Sequence, residues 1–137
     1  TANTITIRNY SIKNIIHKEP MDSFNLALEL KKHHVYITAS KFEPCSNALI
    51  EAMHCGLPAI GYNNGGNPDI IRKGGELFLE NNEIITKLEI IEKKFNFYKK
   101  NINLPNIFDV AKKYYNFMKK IYNQKRYKWI INFLSKK

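Results

Sequence analysis

Between residues 15 and 79, short runs of β-branched and aromatic side chains alternate with amphipathic stretches, and Gly or Pro marks most of the junctions. This alternation is the tightest constraint on the fold. A strand that returns parallel to its neighbour needs a crossover, usually a helix, so the pattern predicts βαβ units and a parallel sheet. Val35–Thr38 reads as a buried strand, Ala59–Tyr62 as the next, and Glu76–Leu79 as a brief extended segment. Ile15–His17 is a further short apolar stretch closed by Pro20, and Thr4–Ile7, alternating Thr and Ile, reads as a short strand at an edge.

The helices between them carry their own punctuation. Asp22 or Ser23 caps a helix whose buried stripe is Phe24, Leu26, Ala27, Leu28 and Leu30. A helix from about Ser46 to Cys55 stops at Gly56, where a left-handed residue is wanted, and Pro58 forbids its continuation. After the turn Asn63-Asn64-Gly65-Gly66, a short helix starts near Asn67-Pro68 and ends before Gly74-Gly75. Residues 82–100 read as helical, with Ile84, Ile85, Leu88, Ile91, Phe95 and Tyr98 spaced by threes and fours. Pro105 breaks that run. A helix over Asn106–Asn123 follows, its stripe of Ile107, Val110, Ala111, Tyr114, Met118, Ile121 and Tyr122 expected in the core, and residues 125–135 read as another. The class is α/β: a partial Rossmann-like parallel sheet with flanking helices and a helical C-terminus. So few strands, with the remaining helices all C-terminal, resemble the back half of a doubly wound domain. Thr1 stands where an initiator Met would, which marks a piece of a longer or processed product.

Composition narrows the class. In a chain of 137 residues, 44% hydrophobic and 25% charged residues are globular values that exclude wholesale disorder. No apolar run reaches the roughly 18–20 residues of a membrane span. Cys45 and Cys55 make neither a disulfide scaffold nor a CxxC site, read as small packing residues, and suit a reducing, cytoplasmic setting. The net charge of +10 is lopsided: residues 1–92 hold 9 Lys and Arg against 11 acids, whereas residues 93–137 hold 13 against Asp109 alone. Such a block attracts anions, either acidic lipid or nucleic acid, although solvated lysines explain it equally well. No helix-turn-helix, RRM or zinc-finger pattern favours nucleic acid. Residues 124–137 form a basic amphipathic tail, with Tyr127, Trp129, Ile130, Ile131, Phe133 and Leu134 between basic ends, suited to an anionic membrane surface or to docking on the domain.

Ligands of parallel sheets bind beyond the carboxyl ends of the strands, where loops lead into helices. Glu43-Pro44-Cys45-Ser46-Asn47-Ala48-Leu49-Ile50-Glu51 occupies such a place. The first-turn amides around Ser46, Asn47, Ala48 and Leu49 form an anion site of the kind phosphate fills. Glu43 precedes the cap, and Glu51 lies about 7 Å further along the axis at roughly 1.5 Å per residue. Asn47, Glu51 and His54 share one face, while Ala48, Leu49, Ala52 and Met53 turn toward the sheet. A central diphosphate with a hydroxylated ring on either side, the shape of a nucleotide sugar, suits this spacing.

These residues resemble the E-x7-E pattern of the retaining GT-B glycosyltransferases, the nucleotide-sugar-dependent group 1 family, with Glu43 and Glu51 at the two acidic positions. Glu51-Ala52 through Gly56-Leu57-Pro58 is similar to the family's EA-x-x-x-G-x-P, and Gly65-Gly66-Asn67-Pro68-Asp69-Ile70-Ile71 to its GG-x-P-E-I-I, with Asp for Glu. The resemblance spans residues 15–123 and implies the C-terminal, donor-binding half-domain. It implies that Glu43 is catalytic and contacts the transferred sugar, with Pro44 and Cys45 beside it. Glu51 would bind the ribose, the Ser46–Leu49 amides the diphosphate, and Gly65-Gly66 would shape the cleft floor.

It further implies transfer, with retention, from a nucleotide-sugar donor to a glycan or lipid-linked acceptor in surface polysaccharide synthesis. The leaving diphosphate would assist same-face attack, with no metal and no cofactor. Asp22, Asp69 and Asp109 form no DxD pair, in keeping with that. The family's N-terminal acceptor domain, the first Gly-rich strand and the basic pair on the diphosphate are missing, so this chain alone is expected to be inactive. The helix at 107–123 is similar to family helices that cross toward the N-terminal domain. Two other readings stay open, a non-catalytic nucleotide-sugar-binding remnant and a basic membrane- or nucleic-acid-binding module. His33, His34 and His54 read as structural or exposed histidines.

Overall fold

The strand Ala59–Tyr62 is flanked on both sides, and that sets the architecture. The structure, a computed structural model, describes residues 4–7, 10–13 and 15–124, with 132, 134 and 135. The described strands are β1 (Thr4–Ile7), β2 (Tyr10–Lys13), β3 (Tyr36–Thr38), β4 (Ala59–Tyr62) and β5 (Gly75–Phe78). The helices are α1 (Ser23–Leu30), α2 (Asn47–His54), α3 (Asn67–Ile71), α4 (Glu83–Lys93), α5 (Phe95–Lys100) and α6 (Ile107–Asn123). The strands β3-β4-β5 form an open parallel sheet in that order, with Ile37 opposite Ile60 and Ile60 opposite Glu76. With helices on both faces, the domain is mixed α/β and Rossmann-like, as the alternating pattern predicts.

Side chains alternate across the sheet and divide the core in two. Ala59 packs with Leu49, Met53 and Ile71 from α2 and α3. On the opposite face, Ile60 and Phe78 meet Ile91 and Tyr98 from α4 and α5. Gly56 has φ 90 and closes α2 as expected, whereas α3 ends on Arg72 at φ 46, a left-handed residue with a full side chain.

Several expectations need correction. β1 is not an edge of the main sheet but pairs antiparallel with β2 in a separate hairpin. Ile15–His17 forms no strand. β3 is not fully buried, because it is an edge strand of its sheet and leaves Ile37 exposed. Phe24 and Leu28 of α1 are exposed, since this helix meets the domain only along the side bearing Leu26, Ala27 and Leu30. The helical run over 82–100 is two helices broken at Lys94, and Ile85 faces solvent. The break lets Phe95 meet the edge of His34, with ring centroids 6.0 Å apart, and lets Tyr98 reach β5. The largest departure is α6, whose Ile107, Tyr114, Met118 and Tyr122 are exposed rather than in the core. Most of the expected helix over 125–135 and of the basic tail falls outside the described residues; of those described, Asn132 and Leu134 are helical. No described helix is long and apolar enough to cross a membrane.

The α4–α5 layer is tied to the sheet by a polar contact. Glu76 of β5 accepts a hydrogen bond from the Tyr98 hydroxyl and another from Lys87 Nζ at 3.2 Å. Burial, reinforced by the Glu76 carboxylate, pushes the Tyr98 phenol up to about 12. An unfolded tyrosine ionises near 10, so the contribution of this neutral phenol is fully present below about pH 10 and is lost as pH rises from there through about 12. Tyr98→Phe is expected to cost about 1.5–3 kcal/mol at neutral pH in urea unfolding. The gap between the two proteins should shrink between about pH 10 and 12; a gap constant across that interval contradicts the assignment.

Candidate functional site

Because β3 and β4 are parallel neighbours, the loops leaving their carboxyl ends emerge side by side. The loop after β3 runs through residues 39–46 into α2, and the loop after β4 is the Asn63–Gly66 turn into α3. They are joined by backbone. The Gly66 N–H donates to the Glu43 carbonyl at 2.8 Å. A Cβ on Gly66 would lie 2.1 Å from the Pro44 carbonyl oxygen, and one on Gly65 would lie 2.5 Å from that of Glu43. Gly65 also holds φ 59. Two loops this close tolerate only glycine on the second one.

The amide end of α2 is partly satisfied by its own loop. Ser46 caps it, its Oγ accepting from the Leu49 N–H at 3.3 Å, and Glu43 Oε1 accepts from the Cys45 N–H at 3.3 Å. Leu49 therefore brings no free donor, and its side chain lies in the core. Among the described residues, no acceptor claims the N–H of Asn47 or Ala48, and both residues are exposed. Ala48 thus faces solvent, not the sheet as expected, because only Leu49, Ala52 and Met53 of α2 turn fully inward. Pro44 and Cys45 are exposed beside this opening.

Glu51 sits further along α2, on its exposed side. With His54 and Ser23 it rims an open groove of about 230 Å³ whose wall is Leu26, Ala27 and Leu30 of α1. Burial, and then the Glu51 charge, hold the Tyr36 phenol above its ordinary range. Glu43, Pro44, Cys45, Ser46, Gly65 and Gly66 are thus gathered at one end of α2, while Glu51 faces the α1 groove. Among the described residues, no group of three His, Cys, Asp or Glu is placed to hold a metal ion.

Sequence reasoning passed over Asn67. Its side chain is fully buried, and Nδ2 donates to the Ser40 carbonyl at 3.3 Å and to the Tyr62 carbonyl at 3.0 Å. It bridges the loop after β3 to the end of β4, while its Oδ1 has no protein partner. The available signal was an amide residue placed between a glycine pair and a helix-starting proline. Lys41, over the Tyr62 ring at 4.7 Å, adds a positive charge near the same loops.

Residues 6–104 match the family described as glycosyl transferases group 1, which covers well over half of the chain. No curated protein matches, and no solved structure matches.

The loop contacts predict two distinct defects. Gly66→Ala inserts a methyl group where backbone already stands, and about 1–3 kcal/mol of stability should be lost in chemical denaturation. Asn67→Ala leaves two carbonyls without their donor and should cost a similar amount, about 1–3 kcal/mol. In hydrogen exchange, Gly66→Ala should also unprotect the amide of residue 66, whereas an unchanged exchange rate there would contradict the close loop contact.

Proposed function

The chain belongs to the group 1 glycosyl transferases, and from that premise we propose that the amide end of α2 and its two flanking glutamates hold a nucleotide-sugar donor. The observation that carries this reading is the pair of unclaimed amides at Asn47 and Ala48, opening beside Glu43 where two strand ends meet. A helix amino end concentrates donors and positive potential, which a diphosphate matches. Glu43 Oε1 already takes the Cys45 N–H, and its remaining lone pairs serve in this reading as acceptors for sugar hydroxyls. Glu51, in a groove with an aliphatic wall, is an acceptor for ribose hydroxyls beside a surface on which a nucleoside can lie.

In this proposal, transfer proceeds with retention through the E-x7-E pair. The α2 amides stabilise charge on the departing diphosphate, and that oxygen assists the acceptor hydroxyl on the same face. Gly65-Gly66 forms the floor that lets the two loops close up, and no metal or cofactor takes part. The acceptor, a glycan or lipid-linked sugar of a surface polysaccharide, is assigned to an N-terminal acceptor domain outside residues 1–137. A hexose is the proposed transferred unit, and the cytoplasmic side the proposed setting.

Titration of the chain with UDP and GDP by calorimetry tests the donor site. One nucleotide should bind, and Glu51→Ala should weaken it about tenfold or more, the scale of a lost hydrogen bond to a charged group. Silence with both nucleotides, or equal affinity in the variant, would sink the reading. The isolated chain should turn over little or no donor; robust transfer by it would overturn the assignment of the acceptor site elsewhere.

A further inference from the structure

The loop after β3 is fastened on either side of one residue. Ser40 is held through both of its backbone groups: its N–H donates to Thr38 Oγ1 at 3.4 Å, and its carbonyl accepts from Asn67 Nδ2 at 3.3 Å. Further along the loop, the Glu43 carbonyl accepts from the Gly66 N–H at 2.8 Å. Between the two anchors stand Lys41, whose ammonium lies over the Tyr62 ring, and Phe42. Phe42 takes up the misfit. Its φ of 59 is in the left-handed region, where a bulky side chain is an outlier.

Packing does not set that conformation. The Phe42 ring is 79% exposed, so it gains little by standing where it does. The two anchors therefore impose the strain, a device that folded proteins concentrate at ligand-holding segments. Asn67 is equipped to act as one of them. It is fully buried at the start of α3, and its Nδ2 donates to the Tyr62 carbonyl as well as to that of Ser40. A Cβ on Gly61 of β4 would lie 2.5 Å from Ile71 Cδ1 and 3.5 Å from Asn67 Cβ, so α3 rests directly on the strand and gives the amide a rigid base. Its Oδ1 has no protein partner among the described residues. An apolar side chain would fill this place without an orphaned acceptor, so the donors are what the position requires.

We propose that Asn67 is the positioning residue for Glu43: by holding the Ser40 carbonyl it keeps Phe42 in the left-handed region, and that backbone sets where the Glu43 carboxylate stands beside the amide end of α2. The proposal rests on the donor-site reading and adds to it a residue that touches no ligand. Without the Nδ2 bond, Phe42 relaxes to negative φ, and Glu43, next in the chain, turns with it. The Asn47 and Ala48 amides stay in place, because Leu49, Ala52 and Met53 seat α2 in the core. Loss of Asn67 therefore separates the sugar contact from the diphosphate contact.

The test compares the full chain with Asn67→Ala, Phe42→Asn and the two combined, Asn being a residue that visits left-handed backbone readily. Calorimetry sets UDP-glucose against UDP and GDP-mannose against GDP. The ratio of sugar-nucleotide to nucleotide affinity should fall about fivefold or more in Asn67→Ala, with affinity for the bare nucleotide within about twofold of the parent. Adding Phe42→Asn should recover at least about half of that loss on a logarithmic scale, although residue 42 makes none of the Asn67 hydrogen bonds. Hydrogen exchange gives a reading without ligand. The amide of residue 66 should exchange about tenfold or more faster in Asn67→Ala, beyond any change at Ile60, and slow again in the double variant. Should Asn67→Ala not fold, Phe42→Asn alone tests the strain, and its melting temperature should rise by about 2 °C or more. An unchanged ratio in Asn67→Ala, equal losses for nucleotide and sugar nucleotide, no recovery in the double variant, or a melting temperature not raised in Phe42→Asn overturns the proposal. A parent silent with all four probes sinks the donor reading instead, and exchange at residue 66 then still decides whether Asn67 positions the loop.

Discussion

One backbone hydrogen bond, from the Gly66 N–H to the Glu43 carbonyl at 2.8 Å, joins the two halves of the candidate site. It forms because β3 and β4 are adjacent and parallel, so that both chains leave the sheet at the same end. The turn after β4 must then lie against the loop after β3, and only residues without a Cβ permit that approach. Everything nearby inherits its place from this contact. Glu43 is held at the mouth of α2, α3 begins directly after the turn, and Asn67 drops into the interior, where it reaches both loops.

The electrostatics of the site are those of a helix end that has been only half neutralised. Ser46 and the Glu43 carboxylate each take one amide, leaving Asn47 and Ala48 as donors. A carboxylate so close to this end lowers the local positive potential, which works against tight capture of a bare anion. The same carboxylate is an acceptor for hydroxyls, which is why the proposed ligand carries phosphate and alcohol groups side by side.

Much of this was legible because the local signals agreed with the tertiary structure. Gly56 and Pro58 ended α2, Asn67-Pro68 opened α3, and the β-branched runs became β3 and β4, each within a residue or so of its expected bounds. The failures share a cause. Ile85, Phe24 and the α6 stripe have helical spacing, but spacing shows that a face exists and is silent on whether anything covers it. The hairpin partner β2 lies outside the expected strands although Tyr10-Ser11-Ile12-Lys13 alternates as β1 does, because the neighbouring Ile15–His17 is the more apolar run. At the site, the order of residues exposed the acids and glycines, since their types are chemically telling. The role of Asn67 depends on Ser40, distant in sequence, and only the folded chain brings the two together.

The anchor at Glu76 differs in kind from the oily contacts around it. Apolar burial is non-directional, whereas a carboxylate that accepts from a phenol of α5 and an ammonium of α4 is tied to particular partner atoms. Both helices are indexed to the same side chain of β5, so neither can shift along the strand without disturbing the other. A push on α5 is therefore delivered to α4 and to the strand as a single lever.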